Sequence, residues 1–156
     1  MISGATVVAG PGHTAVIAAL HALCFTDAWN EAAVAALMAV PGVFGLLADD
    51  PTGPVGFILC RVAADECEVL AIGTHPNHRR TGIGQALLDA ALRRASGVGV
   101  RRAFLEVAAD DTGAQRFYDT AGFAPIGCRP GYYRRGSGVA MDAVVMARTL
   151  EGTDRG

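Results

Sequence analysis

The sequence predicts an α/β domain whose mixed β-sheet carries helices on both faces. Strand-like segments alternate with segments of helical periodicity along most of the 156 residues, and two strand-like segments end the chain. The composition is 51% hydrophobic and 18% charged, which is typical of soluble globular proteins. No repeat or Pro/Gly/Ser-rich linker divides the chain. We therefore expect one domain over residues 1–150 and a frayed tail over residues 151–156.

The first half of the chain is predicted to hold four strands and two helices. The strands are runs of apolar residues bounded by turn formers, at residues 6–8, 43–48, 55–62 and 68–74. Residues 15–25 predict a helix because apolar residues recur at helical spacing, at Val16, Leu20 and Leu23. Asn30 can cap a second helix that ends before Pro41-Gly42. Its apolar positions are Val34, Leu37 and Met38.

The second half begins with a basic, glycine-bearing segment at residues 79–84. The helix that follows has an apolar face formed by Ile83, Leu87, Ala90, Ala91 and Leu92. A short strand is expected at residues 103–107. Asp110 or Asp111 can cap the next helix, and Gly122 suits the position just after its end. The last two strands are expected at residues 123–133 and 141–149, on either side of Gly136-Ser137-Gly138.

The charged residues exclude several classes of protein. All 13 basic side chains are Arg, so the Lys that Walker-A enzymes, typical protein kinases and Schiff-base enzymes need is absent. A net charge of −2 argues against broad nucleic-acid binding, which depends on neutralising phosphates. No basic residue precedes Arg61, and no apolar stretch approaches the ~20 residues that span a bilayer. We therefore expect a cytoplasmic protein that contacts no membrane.

The cysteines and histidines do not predict a metal site. The four cysteines lack C-x-x-C spacing and are expected to be reduced thiols. His75 and His78 are separated by Pro76 and have no acidic or thiol partner nearby in the sequence.

The segment Arg79-Arg80-Thr81-Gly82-Ile83-Gly84 predicts an anion site. A strand leads into a loop whose glycines allow a ligand to approach the backbone, and a helix starts there. Free backbone N–H groups, the positive end of the helix dipole and two arginines favour a phosphate or pyrophosphate. The alternative is an ordinary turn before a helix. The segment is not a Rossmann fingerprint, because Leu87 stands where Gly or Ala is needed.

Glu106 and Tyr118 are the candidate catalytic residues. Glu106 lies in the otherwise apolar strand segment at residues 104–107, where desolvation would favour proton uptake by the carboxylate. The alternative is an outward-facing residue of a half-exposed strand. Tyr118 lies in the next predicted helix and, taken alone, could equally be a core aromatic.

Together these segments resemble the GNAT superfamily of N-acetyltransferases. That superfamily has the signature (Gln/Arg)-x-x-Gly-x-(Gly/Ala) after a central strand, and here the signature is the anion-site segment itself. Leu105-Glu106-Val107 and the tyrosine twelve residues after Glu106 strengthen the match. Within the superfamily the chain is similar to enzymes that acetylate the N-terminal alanine of a ribosomal protein. Further matching segments are Phe25-Thr26-Asp27-Ala28-Trp29, Phe117-Tyr118-Asp119, Ala121-Gly122-Phe123, Tyr132-Tyr133 and Asp142-Ala143-Val144-Val145-Met146.

The resemblance implies a GNAT fold, acetyl-CoA as cosubstrate, no metal and direct transfer without a covalent enzyme intermediate. Glu106 would be the general base and Tyr118 the general acid. Backbone groups of the preceding strand would bind the acetyl and pantetheine part, at Ile72, Gly73 and Thr74. The pyrophosphate would be held by Arg79, Arg80, Thr81, Gly82, Ile83, Gly84 and Gln85. No cysteine is expected at the position of a nucleophile.

One of the implied cofactor contacts departs from the family pattern. Asp111 stands where the family commonly has Asn as a CoA contact, and a carboxylate there would repel an anionic ligand. Helix capping is the alternative role for Asp111.

The acceptor implied by the resemblance is a basic ribosomal protein that begins with Ala, with no direct contact to nucleic acid. At neutral pH an α-amine has a roughly 400-fold larger neutral fraction than a Lys side chain. Residues 1–78 hold seven acids and one Arg, whereas residues 79–156 hold twelve Arg and eight acids. This asymmetry suits an anionic cosubstrate and a cationic peptide. The alternatives are a small amine, an antibiotic or an internal Lys as acceptor, or a non-catalytic acyl-CoA-binding module.

Overall fold

A computed structural model describes residues 6–134 and 140–150, which form one seven-stranded sheet with helices on both faces. The predicted α/β class is therefore confirmed. The strands are β1 (Thr6–Val8), β2 (Val43–Asp50), β3 (Gly53–Ala63), β4 (Glu66–Thr74), β5 (Arg102–Ala108), β6 (Ala124–Arg134) and β7 (Ala140–Thr149). The helices are α1 (Thr14–Cys24), α2 (Glu31–Met38), α3 (Ile83–Gly97) and α4 (Thr112–Thr120), with 3-10 turns at Pro11–His13 and Pro76–His78. The predicted tail and the Gly136-Ser137-Gly138 turn lie outside the described residues.

Two neighbouring central strands of the sheet, β4 and β5, are paired over only part of their length. The strand order is β1-β2-β3-β4-β5-β7-β6, and β4–β5 is the parallel pair in an otherwise antiparallel ladder. Parallel pairing needs a crossover, which α3 provides. The β4–β5 ladder runs only from Glu66↔Arg102 to Glu68↔Phe104, although β4 continues to Thr74 and β5 to Ala108. The two strands therefore diverge at their carboxyl ends.

The two faces of the sheet carry separate hydrophobic cores. α3 and α4 pack on one face, where the core includes Ile58, Leu87, Leu88, Leu105 and Met146. α1 and α2 pack on the other, where the core includes Ile17, Leu20, Val34, Phe57 and Leu59. Among the described residues, this second core takes none from β5, β6 or β7. The α1–α2 layer therefore covers only the β1–β4 half of the sheet.

Among the described helices, none has both the length and the hydrophobicity that a membrane-spanning segment needs.

A β-bulge in β4 changes which side chains face each core. Cys60 pairs with Val69 and Leu59 with Ala71, so Leu70 is the extra residue. Val69 packs in the α3–α4 core and Ala71 in the α1–α2 core, although residues two apart normally share a face. The bulge thus reverses the alternation along the last residues of β4, where the strand borders the opening.

Several predicted helix ends are confirmed. The Asn30 side chain accepts a hydrogen bond from the Ala33 N–H (2.8 Å) and caps α2. Gly122, with φ at +95°, follows α4 in the left-handed conformation that favours glycine. The strands β2 and β3 extend closer to their turn than predicted, because Asp50 pairs with Gly53.

The predicted apolar face of α1 is wrong at Leu23. Leu23 is 51% exposed, whereas Ile17, Leu20 and His21 are buried. Cys24 lies on that same face, since helix positions three and four apart are neighbours. The helix is rotated so that a histidine and a cysteine, rather than Leu23, turn toward the sheet.

Candidate active site

A cleft of about 870 Å³ occupies the place where β4 and β5 diverge. On the α1–α2 face of the sheet it is lined by the end of α1 and the loop that follows, and on the other face by the start of α3 and by residues along α4. The cleft therefore passes through the sheet and reaches both faces. Its lining includes His21, Cys24, Phe25, Thr26, Asp27, Trp29, Val69 to Thr74, Arg79, Gly84, Leu105 to Ala108, Asp111, Gly113, Ala114, Phe117 and Tyr118.

The start of α3 has the features of an anion site. Gly82, with φ at +85°, precedes the helix in the left-handed conformation, and Arg80 also has a positive φ of 64°. The Ala86 N–H donates to the Gly82 carbonyl (3.0 Å), so the N–H groups of residues 83–85 come before the first intrahelical bond. These donors and the helix dipole fit a phosphate group.

The predicted cofactor residues are only partly in the wall of the cleft. Ile72, Gly73, Thr74, Arg79, Gly84 and Asp111 line it. The other residues of the predicted loop are not among the lining residues, namely Arg80, Thr81, Gly82, Ile83 and Gln85. Ile83 is buried in the α3–α4 core, and the Gln85 side chain donates to Asp89 Oδ1 (2.9 Å). Only backbone groups of these two residues are suited to hold a ligand.

Gly84 lies where the first turn of α3 approaches α4 and β4. A Cβ at this position would stand 3.5 Å from Phe117 Cζ and 3.7 Å from Thr74 Oγ1, which is ordinary van der Waals contact. Alanine would therefore fit here, in agreement with a signature that accepts Gly or Ala.

Asp111 has the capping role that the sequence left as an alternative. Its Oδ1 accepts a hydrogen bond from the Ala114 N–H (3.0 Å) at the start of α4. The carboxylate also lines the cleft, on the face of the sheet where the anion site lies.

Glu106 lines the cleft on the half of the sheet that α1 and α2 leave uncovered. Its neighbours Leu105 and Val107 belong to the α3–α4 core, so alternation places Glu106 on the opposite face. Its side chain is only 9% exposed, and its Oε2 accepts a 2.7 Å hydrogen bond from Arg129 Nη1. Glu106 therefore faces the cleft as a partly enclosed, ion-paired carboxylate. Arg129 lies two strands away across β7, and no sequence signal connects it to Glu106.

A second carboxylate lies near Glu106. Glu68, at the last position of β4 that pairs with β5, has a pKa raised by burial and further by the negative charge of Glu106. The guanidinium groups of Arg61 and Arg129 oppose this shift. Two carboxylates and two arginines thus share this part of the sheet.

Tyr118 is both a core aromatic and a residue of the cleft. It is 6% exposed and meets Phe117 and Phe123 edge to face, with ring centroids 5.0 and 5.7 Å apart. It lines the cleft from the α4 side of the sheet. Tyr118 is therefore a core aromatic, as one interpretation of the sequence expected, and it also borders the cleft.

His21 and Cys24 are site residues that the sequence did not indicate. The buried His21 ring stacks between Phe25 and Trp29, with centroids 4.3 and 4.4 Å away, and its Nδ1 accepts the Trp29 N–H (3.1 Å). Burial lowers the pKa of His21, which keeps the ring neutral at neutral pH. Cys24 Sγ donates to the Thr74 carbonyl (3.4 Å), so a cysteine does lie in the wall of the cleft.

His78 has an acidic partner that the sequence did not reveal. Its Nε2 lies 2.9 Å from Asp50 Oδ2, and the Thr52 hydroxyl and the Asp50–His78 contact help to lower the pKa of Asp50. Asp50 lies at the β2–β3 turn, far away in the sequence. Within the described part of the chain, no three His, Cys, Asp or Glu side chains are grouped as metal ligands would be.

Comparisons with known proteins bear on the family and the fold of the chain. The model of the acetyltransferase (GNAT) family matches residues 15–123. The [ribosomal protein bS18]-alanine N-acetyltransferase of Haemophilus ducreyi is 31% identical over 96 residues, which cover 62% of this chain and 66% of that protein. The matched region is thus just under two thirds of that relative's length.

Two solved structures have a similar fold. The crystal structure of the ribosomal-protein-S18-alanine N-acetyltransferase from Escherichia coli superposes with a TM-score of 0.87 at 22% identity, covering 97% of each chain. Arabidopsis thaliana NAA60 in complex with acetyl-CoA superposes with a TM-score of 0.83 at 18% identity, covering 96% of this chain and all of that one.

Proposed function

The chain belongs to the acetyltransferase (GNAT) family, and from this premise we propose that it transfers an acetyl group from acetyl-CoA to the α-amine of a protein that begins with alanine. The acceptor we propose is a basic ribosomal protein. The relatives from Haemophilus ducreyi and Escherichia coli are named as alanine N-acetyltransferases of a ribosomal protein. The observation that carries the proposal is the cleft that crosses the sheet. It has an anion site at one face and an enclosed carboxylate at the other.

In this proposal acetyl-CoA binds on the α3–α4 face of the sheet and the peptide binds on the opposite face. Acetyl-CoA is anionic and suits the α3–α4 face, where the N–H groups of residues 83–85 are available. Arg79 also lines the cleft and adds a positive charge, and its Nε donates to the Thr74 carbonyl (3.4 Å). The backbone of Ile72, Gly73 and Thr74 borders the cleft and can hold the pantetheine and acetyl part. When bound, acetyl-CoA supplies an acetyl group activated as a thioester.

The catalytic groups come from opposite walls of the cleft. Glu106 accepts, directly or through water, the proton that the amine nitrogen loses as it bonds to the acetyl carbon. Tyr118 donates its phenolic proton to the sulfur as the carbon–sulfur bond breaks. Tyr118 then regains a proton from solvent and Glu106 releases one, so the products are an amide and CoA. This direct transfer leaves Cys24 without a covalent role.

The acceptor side of the cleft has one more carboxylate than arginine. Asp27 and Glu106 line it, Glu68 lies near Glu106, and Arg61 and Arg129 lie close to the two glutamates. A basic N-terminal peptide is attracted by this charge. Its α-amine also has a much larger neutral fraction at neutral pH than a Lys side chain has.

Thiol release from acetyl-CoA with an Ala-starting peptide tests this proposal. Glu106→Gln and Tyr118→Phe should each lower turnover about 100-fold or more. Glu66→Gln is a matched control, because Glu66 also pairs with an arginine (Arg102, 2.9 Å) but is not in the cleft lining. Wild-type rates from both active-site variants would contradict the assigned roles. Turnover of small amines, antibiotics or Lys peptides with none of Ala peptides would contradict the proposed acceptor.

A further inference from the structure

His21 presents a hydrogen-bond donor to the acceptor side of the cleft. The Trp29 backbone N–H is a donor, so His21 Nδ1 must act as the acceptor in their 3.1 Å bond. A neutral imidazole that accepts at Nδ1 carries its proton at Nε2. The lowered pKa of His21 supports the neutral form. The ring therefore has one N–H to offer, at Nε2.

This N–H has no partner among the residues that the structure describes. The Trp29 contact is the one hydrogen bond of the His21 side chain within those residues. Within the described part of the chain, the side-chain polar atoms that lack both a partner and contact with solvent are Asp49 Oδ1 and His78 Nδ1, not His21 Nε2. His21 is only 3% exposed, and it is one of the residues that line the cleft.

The ring is also held rigidly. Phe25 and Trp29 stack on its two sides at interplanar angles of 24° and 16°, and Phe57 lies 6.0 Å away. Phe57 is the cross-strand partner of Gly73, which places His21 beside the last residues of β4. A side chain that is already fixed loses little conformational freedom when a ligand binds, and this favours a directional hydrogen bond.

We propose that His21 Nε2–H binds the carbonyl oxygen of the acceptor's first residue and so selects α-amines over side-chain amines. This inference rests on the proposed function. A neutral, desolvated donor matches a neutral carbonyl better than a charged group. In a peptide the first carbonyl is one carbon away from the reacting amine, whereas a Lys ε-amine is followed by four methylenes. His21 is therefore a specificity-determining residue for the reaction proposed above.

The test combines a change in the enzyme with a change in the acceptor. The acceptors are an Ala-starting peptide and its analogue in which the first amide is replaced by a trans-alkene, which lacks the carbonyl. His21→Asn keeps an oxygen near the Nδ1 position for Trp29 but has no atom at Nε2, whereas His21→Gln can place an N–H there. The kcat/KM ratio of peptide to analogue should fall about 3- to 10-fold in His21→Asn and less in His21→Gln. Differences in the reactivity of the two amines cancel in this comparison.

His13→Asn is the matched control. His13 Nδ1 also accepts a backbone N–H, from Gly10 (2.9 Å), but His13 is not in the cleft lining. The control should keep the wild-type ratio. If His21→Asn does not fold, His21→Phe retains the aromatic stack and should show the same fall.

Three results would overturn the inference. An unchanged ratio with equally reduced rates on both acceptors would show that His21 only supports the α1–α2 loop. A raised KM for acetyl-CoA with an unchanged ratio would assign the N–H to the thioester carbonyl. A fall of the kcat/KM ratio in His13→Asn as well would show that the effect does not depend on a histidine in the cleft. Failure of the wild-type enzyme to acetylate the Ala peptide would instead contradict the proposed function, and this is measured first.

Discussion

Gly73 of β4 packs closely against Cys24 of α1 and Phe57 of β3, and Gly73→Ala should destabilise the protein. An added Cβ would stand 2.8 Å from Phe57 Cε1 and 2.9 Å from Cys24 Sγ, both shorter than carbon and sulfur tolerate. Phe57 is fully buried and cannot move away easily. Overpacking of this kind typically costs about 1–3 kcal/mol of unfolding free energy. In a chain of this length each kcal/mol lowers Tm by about 2–4 °C.

A double-mutant cycle separates the two clashes. Cys24→Ala removes Sγ but leaves Phe57 in place, so Gly73→Ala should cost less in the Cys24→Ala background, with a coupling of about 0.5 kcal/mol or more. Urea denaturation of the four proteins measures each free energy of unfolding. Gly84→Ala is the control, since its Cβ would meet no atom closer than 3.5 Å. A Gly73→Ala variant as stable as the wild type would refute the close packing, and additive effects would show that Cys24 takes no part in it.

The remaining predictions concern the anion site and a histidine. Asp111→Asn should keep the α4 cap but remove a charge on the anion-site face, so KM for acetyl-CoA should fall while Tm stays unchanged; an unchanged KM would contradict this. Gly82→Ala should cost about 1–2 kcal/mol, because φ is +85°, and should raise KM for acetyl-CoA more than KM for the peptide. Burial lowers the folded-state pKa of His21 below its ordinary value of 6.5. The neutral His21 ring therefore stabilises the folded protein fully above pH 6.5. As pH falls below 6.5 the unfolded chain binds the proton more readily, and stability should decline toward the folded-state pKa. Urea midpoints measured at several pH values should show less of this decline in His21→Phe, and equal declines would contradict it.

Local sequence patterns predicted most helices and strands, because single residues determine where these elements begin and end. Asn30 caps α2 because its side chain can accept a backbone N–H, and Gly122 ends α4 because the chain there needs a positive φ. Such signals depend only on neighbouring residues. The α/β class follows from the order of the elements, and the position of Glu106 on an apolar strand already marked it as unusual.

Contacts between segments that are distant in the sequence could not be predicted from such local patterns. The Arg129–Glu106 ion pair depends on the register of β6 and β7, which the intervening chain does not encode locally. The buried face of α1 was misassigned because Leu23 is apolar and His21 is polar. In the folded chain an aromatic stack compensates for burying the histidine, and periodicity alone cannot foresee this. The bulge at Leu70 likewise has no sequence signal that we recognise, although it shapes the wall beside the cleft.

We propose that the cleft through the sheet is where an acetyl group passes from acetyl-CoA to an N-terminal α-amine. Intact-mass analysis of ribosomal-protein N-terminal peptides, incubated with the enzyme and acetyl-CoA, tests it most directly. We expect a single added acetyl group on peptides that begin with Ala, and no added group when the α-amine is blocked beforehand. Acetylation that persists on blocked peptides through an internal Lys, or none on any Ala-starting peptide, would contradict it.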